Sequence, residues 1–178
     1  LTNEMMRFYI LIVLFFLSIG PSFSQNTTVF DIARKGTLAE IEAIYKQNPE
    51  LINTVDDRKS SPLLLACYRG NTDVALFLAK KVIDVNYNSG IGTALMAAVM
   101  SGKIEIVTSL IAAKADLNQT DSQGKTALIY AVFFNKNDIA KALIDAGADK
   151  TKQDSDGKTA LDFATFNKNT ELIILLNK

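Results

Sequence analysis

Gly124-Lys125-Thr126-Ala127-Leu128-Ile129-Tyr130-Ala131 and Gly157-Lys158-Thr159-Ala160-Leu161-Asp162-Phe163-Ala164 are one phrase written twice, 33 residues apart. The phrase continues toward the N-terminus as Thr93-Ala94-Leu95 and Ser61-Pro62-Leu63, at spacings of 33 and 32. Five residues after each leading Ser or Thr stands an Ala: Ala66, Ala98, Ala131 and Ala164. An aliphatic residue opens the next segment at Val74, Ile106, Ile139 and Leu172. An Asn closes the units at Asn53, Asn86 and Asn118, with Thr151 in the fourth place. Four columns in phase over more than 100 residues define an internal repeat.

Each unit reads as two short helices and a turn. Thr126 is a helix N-cap, and Leu128, Ala131, Val132 and Asn135 fall at helical spacing on one face. A polar break at residues 135–138 follows. Ile139, Leu143 and Ile144 then line a second helix. Asp145-Ala146-Gly147-Ala148-Asp149 ends it, with Gly147 placed for a left-handed cap. Asp154-Ser155-Asp156-Gly157 reverses the chain, where glycine permits positive φ. Small Ala side chains in each first helix let neighbouring helices approach closely.

These features resemble the ankyrin repeat. Gly124-Lys125-Thr126-Ala127-Leu128 and its partner at residues 157–161 match the family's opening phrase, and Ser61-Pro62-Leu63 keeps its Pro. Gly70 and Gly102 match its mid-unit Gly, and Gly147-Ala148-Asp149 its close. Ala33-Arg34-Lys35-Gly36-Thr37-Leu38, with Ile41, Ile44 and residues 48–53, looks like an opening cap. The resemblance covers about residues 27–178. It implies an all-α solenoid of helix-turn-helix units joined by β-hairpin-like turns, with about five units including caps. The unit boundaries fall near 27–60, 61–92, 93–125, 126–158 and 159–178.

Three departures stand out. The family's His after Pro-Leu is replaced by Leu64, Met96, Ile129 and Asp162, which implies a looser turn network. Lys114 replaces the second-helix Gly of the third unit. Lys59 stands where a turn Gly is expected, so that turn differs or carries strain.

Composition narrows the chemistry. The 178 residues contain no His, no Trp and one Cys. Ser-His and Cys-His nucleophile pairs and His-based metal sites are excluded. One Cys makes no internal disulfide, and Cys67 beside Ala66 reads as a packed, inert thiol. Lys plus Arg and Asp plus Glu are both 19, so the chain is formally neutral, which argues against nucleic acid and anionic membranes as partners. Gly124-Lys125-Thr126 lacks the upstream Gly of a phosphate loop, since Gln119 stands there. Asp154-Ser155-Asp156-Gly157 lacks a calcium loop's twelfth-position acid, since Thr165 stands there. No cofactor and no metal site are expected, and the chain reads as non-enzymatic.

The first 24 residues read as an address. Arg7 precedes an unbroken apolar run of ten residues, Phe8 to Leu17, and small residues follow at Ser22 and Ser24. That is a secretory signal peptide with cleavage after Ser24. A membrane-spanning helix needs roughly 20 apolar residues, and this run is shorter. Residues 1–4, ahead of Met5 and Met6, read as upstream read-through. The expected mature chain begins at Gln25 and is periplasmic or secreted, free of the membrane, with a leader of bacterial style.

Function in a stacked array lies on a surface. Two and three residues after each column Ala, the first helix turns toward the concave groove. Those positions are Tyr68 and Arg69, Met100 and Ser101, Phe133 and Phe134, and Phe166 and Asn167, with Arg34 and Lys35 from the cap. In the family the turn tips also touch partners, which brings in Asp57, Arg58 and Ser60; Ser89 and Ile91; Ser122, Gln123 and Lys125; and Ser155, Asp156 and Lys158. The Tyr, Met, Phe, Phe row reads either as a recognition site or as rings folded against Leu65, Ala97, Tyr130 and Phe163. The reading is an exported protein-binding module; the alternative is an immunity or chaperone-like protector of a co-exported enzyme or toxin. Leu172-Ile173-Ile174-Leu175-Leu176 is apolar all round, so the chain is expected to be a monomer or to self-associate weakly through that helix.

Overall fold

The structure is a computed structural model that describes residues 27–178. The leader assigned to residues 1–24 lies outside the described residues. Five inner helices are α1 (Val29–Lys35), α3 (Pro62–Arg69), α5 (Ala94–Ser101), α7 (Ala127–Phe133) and α9 (Ala160–Phe166). Each is followed by an outer helix: α2 (Leu38–Gln47), α4 (Thr72–Ala79), α6 (Ile104–Ala112), α8 (Asn137–Asp145) and α10 (Thr170–Leu176). A 3-10 turn, Pro49–Asn53, closes the first unit. Inner helices pack in one layer and outer helices in a second, each against its successor. Among the described residues the only β pairing is two isolated bridges, Asn88 with Thr93 and Gln153 with Thr159. The fold is the all-α repeat array that the sequence predicts.

The repeated columns have physical causes. The leading Ser or Thr is the N-cap of each inner helix. Its hydroxyl accepts the third backbone N–H, as in Ser61 with Leu64 at 3.2 Å and Thr126 with Ile129 at 3.2 Å. Such a cap contributes about 0.5–2 kcal/mol. The column Ala residues Ala66, Ala98, Ala131 and Ala164 are wholly buried between neighbouring inner helices. Val74, Ile106, Ile139 and Leu172 are buried under the outer layer. The closing Asn side chains tie one unit to the next. Asn53 Oδ1 accepts Ile83 N–H at 2.9 Å, and Asn86 Oδ1 accepts Asp116 N–H at 2.7 Å.

The turns form a row of projecting fingers. In three of them one Asp side chain accepts two backbone N–H groups across the reversal: Asp56 from Arg58 and Ser60, Asp121 from Gln123 and Lys125, and Asp154 from Asp156 and Lys158. Neighbouring fingers are also bonded to each other. Ser122 N–H donates to the Gly90 carbonyl at 3.2 Å, and Ser155 N–H to the Gln123 carbonyl at 2.9 Å. Tyr87 OH reaches the Lys59 carbonyl at 2.9 Å. The looser network expected from the missing His is therefore corrected. Asp, Asn and Tyr supply the bonds, while Leu64, Met96 and Ile129 are buried apolar residues and Asp162 completes a capping box with Thr159.

Two further expectations change. Asn135 is not on the buried face of α7. It lies beyond the helix at φ 53°, exposed, in the left-handed position that Gly70 and Gly102 hold in earlier units. The last helix is not apolar toward solvent all round, since Leu172 and Leu176 turn inward and Ile174 is the exposed aliphatic. Lys59 at φ 59° and Lys114 at φ 65° carry the left-handed strain that their replacement of glycine predicts.

Candidate partner-binding surface

Because the inner helices repeat in one orientation, their exposed faces share one side of the array. Their N-terminal ends carry the fingers. Their last turns carry the positions two and three residues beyond each column Ala. Tyr68 is 54% exposed, Met100 42%, Phe133 45%, Phe134 40% and Phe166 84%. Arg69 is exposed beside Tyr68. The predicted row therefore lies at the surface.

The rings are not independent. Phe133 meets Phe134 edge-on at 5.0 Å and Phe163 edge-on at 5.6 Å. Phe134 stacks on Tyr130 at 6.1 Å with planes 9° apart. Each such contact contributes about 0.5–1.5 kcal/mol beyond area burial. Both sequence readings of these rings hold at once: they pack on Tyr130 and Phe163, and roughly half of each remains open. Phe166 has no ring partner among the described residues and projects almost fully.

Tyr130 is held from two sides. Its hydroxyl donates to Asp121 Oδ2 at 2.6 Å, which joins the third finger to the groove floor. Partial burial and then the Asp121 carboxylate push its pKa up to about 12, so the hydroxyl stays protonated at neutral pH. The ring is thereby fixed beneath Phe134.

Two predicted contacts are already engaged inside the chain. Arg34 Nη2 binds Asp56 Oδ2 at 2.9 Å and its Nη1 lies 3.5 Å from Asp31. Lys125 Nζ lies 3.6 Å from Asp154, whose side chain is buried. These cations hold the first finger to α1 and the third finger to the fourth. Burial raises the Asp154 carboxyl, but the Lys158 and Asp156 N–H groups and Lys125 outweigh it and hold the carboxyl below its ordinary range. Asp56 behaves alike: burial raises it, and Ser60, Arg58 and Arg34 bring it lower. Ser122 and Gln123 are exposed at the third finger tip. Cys67 is fully buried and burial pushes its thiol far up, which makes it an inert packing residue.

Ile91, a turn-tip position of the sequence reading, is 74% exposed on the second finger and lines an apolar hollow with Tyr68, Met96, Met100 and Tyr130. The contribution of Met96 to this hollow was missed, since the sequence marks it only as a replacement for the family's His.

A family model described as "Ankyrin repeats (3 copies)" matches residues 29–121 and again 95–178. The chain belongs to the ankyrin-repeat family. Ankyrin repeats are protein–protein interaction modules. The relatives it resembles are longer proteins. The probable E3 ubiquitin-protein ligase XBOS32 of Oryza sativa subsp. japonica is 32% identical over 112 residues, 60% of this chain and 23% of that protein. Ankyrin repeat and SAM domain-containing protein 6 of Rattus norvegicus is 33% identical over 104 residues, 57% of this chain and 12% of that protein. The Mus musculus protein of the same name is 32% identical over the same span. This ankyrin-repeat chain thus spans less than a quarter of these relatives, all eukaryotic, and they lend no support to the bacterial style read from the leader.

Proposed function

We propose that the chain is an exported, non-enzymatic module that binds a protein partner through its concave face and finger tips. The observation that supports this best is the row of exposed large apolar side chains Tyr68, Met100, Phe133, Phe134 and Phe166, aligned across four successive units. Such residues are enriched at interface centres, and a soluble array has no packing need for a projecting Phe166. Arg69, Ser122 and Gln123 supply the polar margin. Arg34 and Lys125 act indirectly, by fixing the fingers.

Phe133→Ser with Phe134→Ser tests the surface. The expected result is loss of co-purified partner while circular dichroism keeps the helical signal. Unchanged partner recovery with an intact fold overturns the assignment.

Export to the periplasm or beyond rests on Arg7, the apolar run Phe8 to Leu17 and the small residues before Gln25. Mass spectrometry of the secreted or periplasmic protein is expected to give an N-terminus at Gln25. An intact leader on the recovered protein removes the export reading. Self-association rests on the single exposed Ile174 of α10 and is accordingly weak. Light scattering that shows a strict monomer at high concentration removes it.

A further inference from the structure

The second finger, residues 88–92, is built unlike the other three. Two residues before the inner-helix N-cap, the other fingers place a left-handed residue: Lys59 at φ 59°, Gly124 at 73° and Gly157 at 72°. Ile91 holds that place in the second finger and does not take that conformation, which a β-branched side chain strongly disfavours. The turn is rebuilt around it, with positive φ moved to Gly90 at 88° and Gly92 at 138°.

The rebuilding loses hydrogen bonds. Asn88 stands where Asp56, Asp121 and Asp154 each accept two backbone N–H groups, and it accepts only the Gly90 N–H, at 2.9 Å. Ser89 closes the turn on the Gly92 carbonyl instead, from its N–H at 3.2 Å and its hydroxyl at 3.1 Å. The third finger steadies the base, since Asn88 Nδ2 donates to the Thr120 carbonyl and Ser122 N–H to the Gly90 carbonyl. The peptide joining Ile91 to Gly92 makes no hydrogen bond among the described residues, at its carbonyl or at its N–H. It can turn without breaking one.

This free peptide lies at the mouth of the apolar hollow. Gly92 passes so close over Met96 that a Cβ on it would lie 3.1 Å from the Met96 sulfur. The hollow of about 110 Å³ is walled by Tyr68, Met96, Met100 and Tyr130, with Ile91 at its edge. Ile91 nonetheless projects into solvent. An exposed isoleucine that displaces the ordinary turn and needs a glycine on each side is unfavourable locally, and the apolar space beside it supplies a reason for keeping it.

We propose that the second finger is a latch. The Ile91–Gly92 peptide turns, and the Ile91 side chain moves from its exposed position into the hollow, against Tyr68, Met100 and Tyr130. Moving inward hides apolar surface from water. It also freezes a tip flanked by glycines, the residues with the most freedom to lose. These opposed effects are of the same order, so open and closed forms are both populated. The latch needs no partner. Resting on the concave-face reading above, its closed form withholds the hollow from a partner, whose apparent affinity falls with the open fraction.

The test uses the purified full chain without a partner and dilute hydrogen peroxide as the probe. Peroxide passes one oxygen to a methionine thioether, which leaves the sulfoxide and water. Met100 is the reporter because it is exposed on the wall of the hollow, while Met96 is buried. Peptide mass spectrometry reads its oxidation rate, which follows the fraction of time the hollow is open. Ile91→Ser removes the apolar stopper and keeps both hinge glycines. It is expected to raise the Met100 rate about threefold, with an unchanged circular dichroism spectrum. Ile91→Val keeps a branched apolar stopper and is expected to stay near the wild-type rate. Amide relaxation dispersion is expected to show exchange on the microsecond-to-millisecond scale at Gly90, Ile91 and Gly92, and none at Gln123, Gly124 and Lys125.

An unchanged Met100 rate in Ile91→Ser, an equal rise in Ile91→Val, or no exchange at residues 90–92 each overturns the proposal. The two readings fail separately. If Ile91→Ser leaves the Met100 rate unchanged while Phe133→Ser with Phe134→Ser releases the natural partner, the concave surface stands and the latch falls. If Ile91→Ser raises that rate while the Phe pair leaves partner recovery intact, the latch stands and the concave reading falls.

Discussion

Asn118 Oδ1 accepts the Asp149 N–H at 2.8 Å, across 31 residues of sequence. Asn86 and Asn53 do the same one and two units earlier. The closing Asn of each unit is thus a cross-unit clamp on the backbone of the next. Asn118→Ala leaves the Asp149 N–H without its partner, and an orphaned, partly buried donor costs about 1–3 kcal/mol. Urea denaturation is expected to show a loss in that range, and no loss would mean that the clamp is incidental.

Lys114 adopts φ 65° at the end of α6, where its sister unit has Gly147 at φ 95°. A left-handed non-glycine residue carries roughly 1–2 kcal/mol of strain. Glycine relieves it but raises the entropy of the unfolded chain by about 0.4–1 kcal/mol. Lys114→Gly is therefore expected to stabilise the fold by up to about 1 kcal/mol, read as an upward shift in Tm. The same change at exposed Lys80, the right-handed cap of α4, is expected to destabilise it.

The same residues show how much was legible in the chain. Periodicity gave the helices, because the caps, the small Ala column and the aliphatic column are fixed by local spacing. The concave positions followed from helix geometry alone. Ring pairing did not, because whether Phe133 faces solvent or Phe163 depends on rotamers that spacing does not set. Arg34 and Lys125 were read as free contacts for a similar reason: Asp56 and Asp154, which pair with them, lie 22 and 29 residues away. Ile91 was legible as a turn tip, but the hollow it shares with Met96 and Tyr130 was not, because three units must stack to form it; the missing His misled because its role passed to residues of different chemistry.

Acid should loosen the fingers. Asp56 and Asp154 have folded pKa values below their ordinary ones. The folded state then binds fewer protons than the unfolded state between those folded values and an unfolded value near about 3.9. Stability from these groups is complete above that unfolded value and is lost as pH falls through the folded ones. The Tm is expected to hold from neutral pH to about pH 5 and then fall steeply. Asp154→Asn lowers the Tm at neutral pH and flattens that acid limb. An unaltered limb in the variant would place the acid sensitivity elsewhere.

Stability and recognition occupy different faces of one helical unit, and a pair of truncations separates them. Leu110 is wholly buried where α6 meets its neighbours. Leu110→Ala removes that packing and leaves a cavity, at about 2–5 kcal/mol. Phe166 projects into solvent, so Phe166→Ala is expected to change stability by less than about 0.5 kcal/mol. Partner affinity is expected to reverse the order. Leu110→Ala, assayed at a temperature where it remains folded, keeps the groove and its binding, while Phe166→Ala loses part of it. A stability loss above about 1 kcal/mol in Phe166→Ala would show that this ring packs in solution, and the recognition row would then end at Phe134.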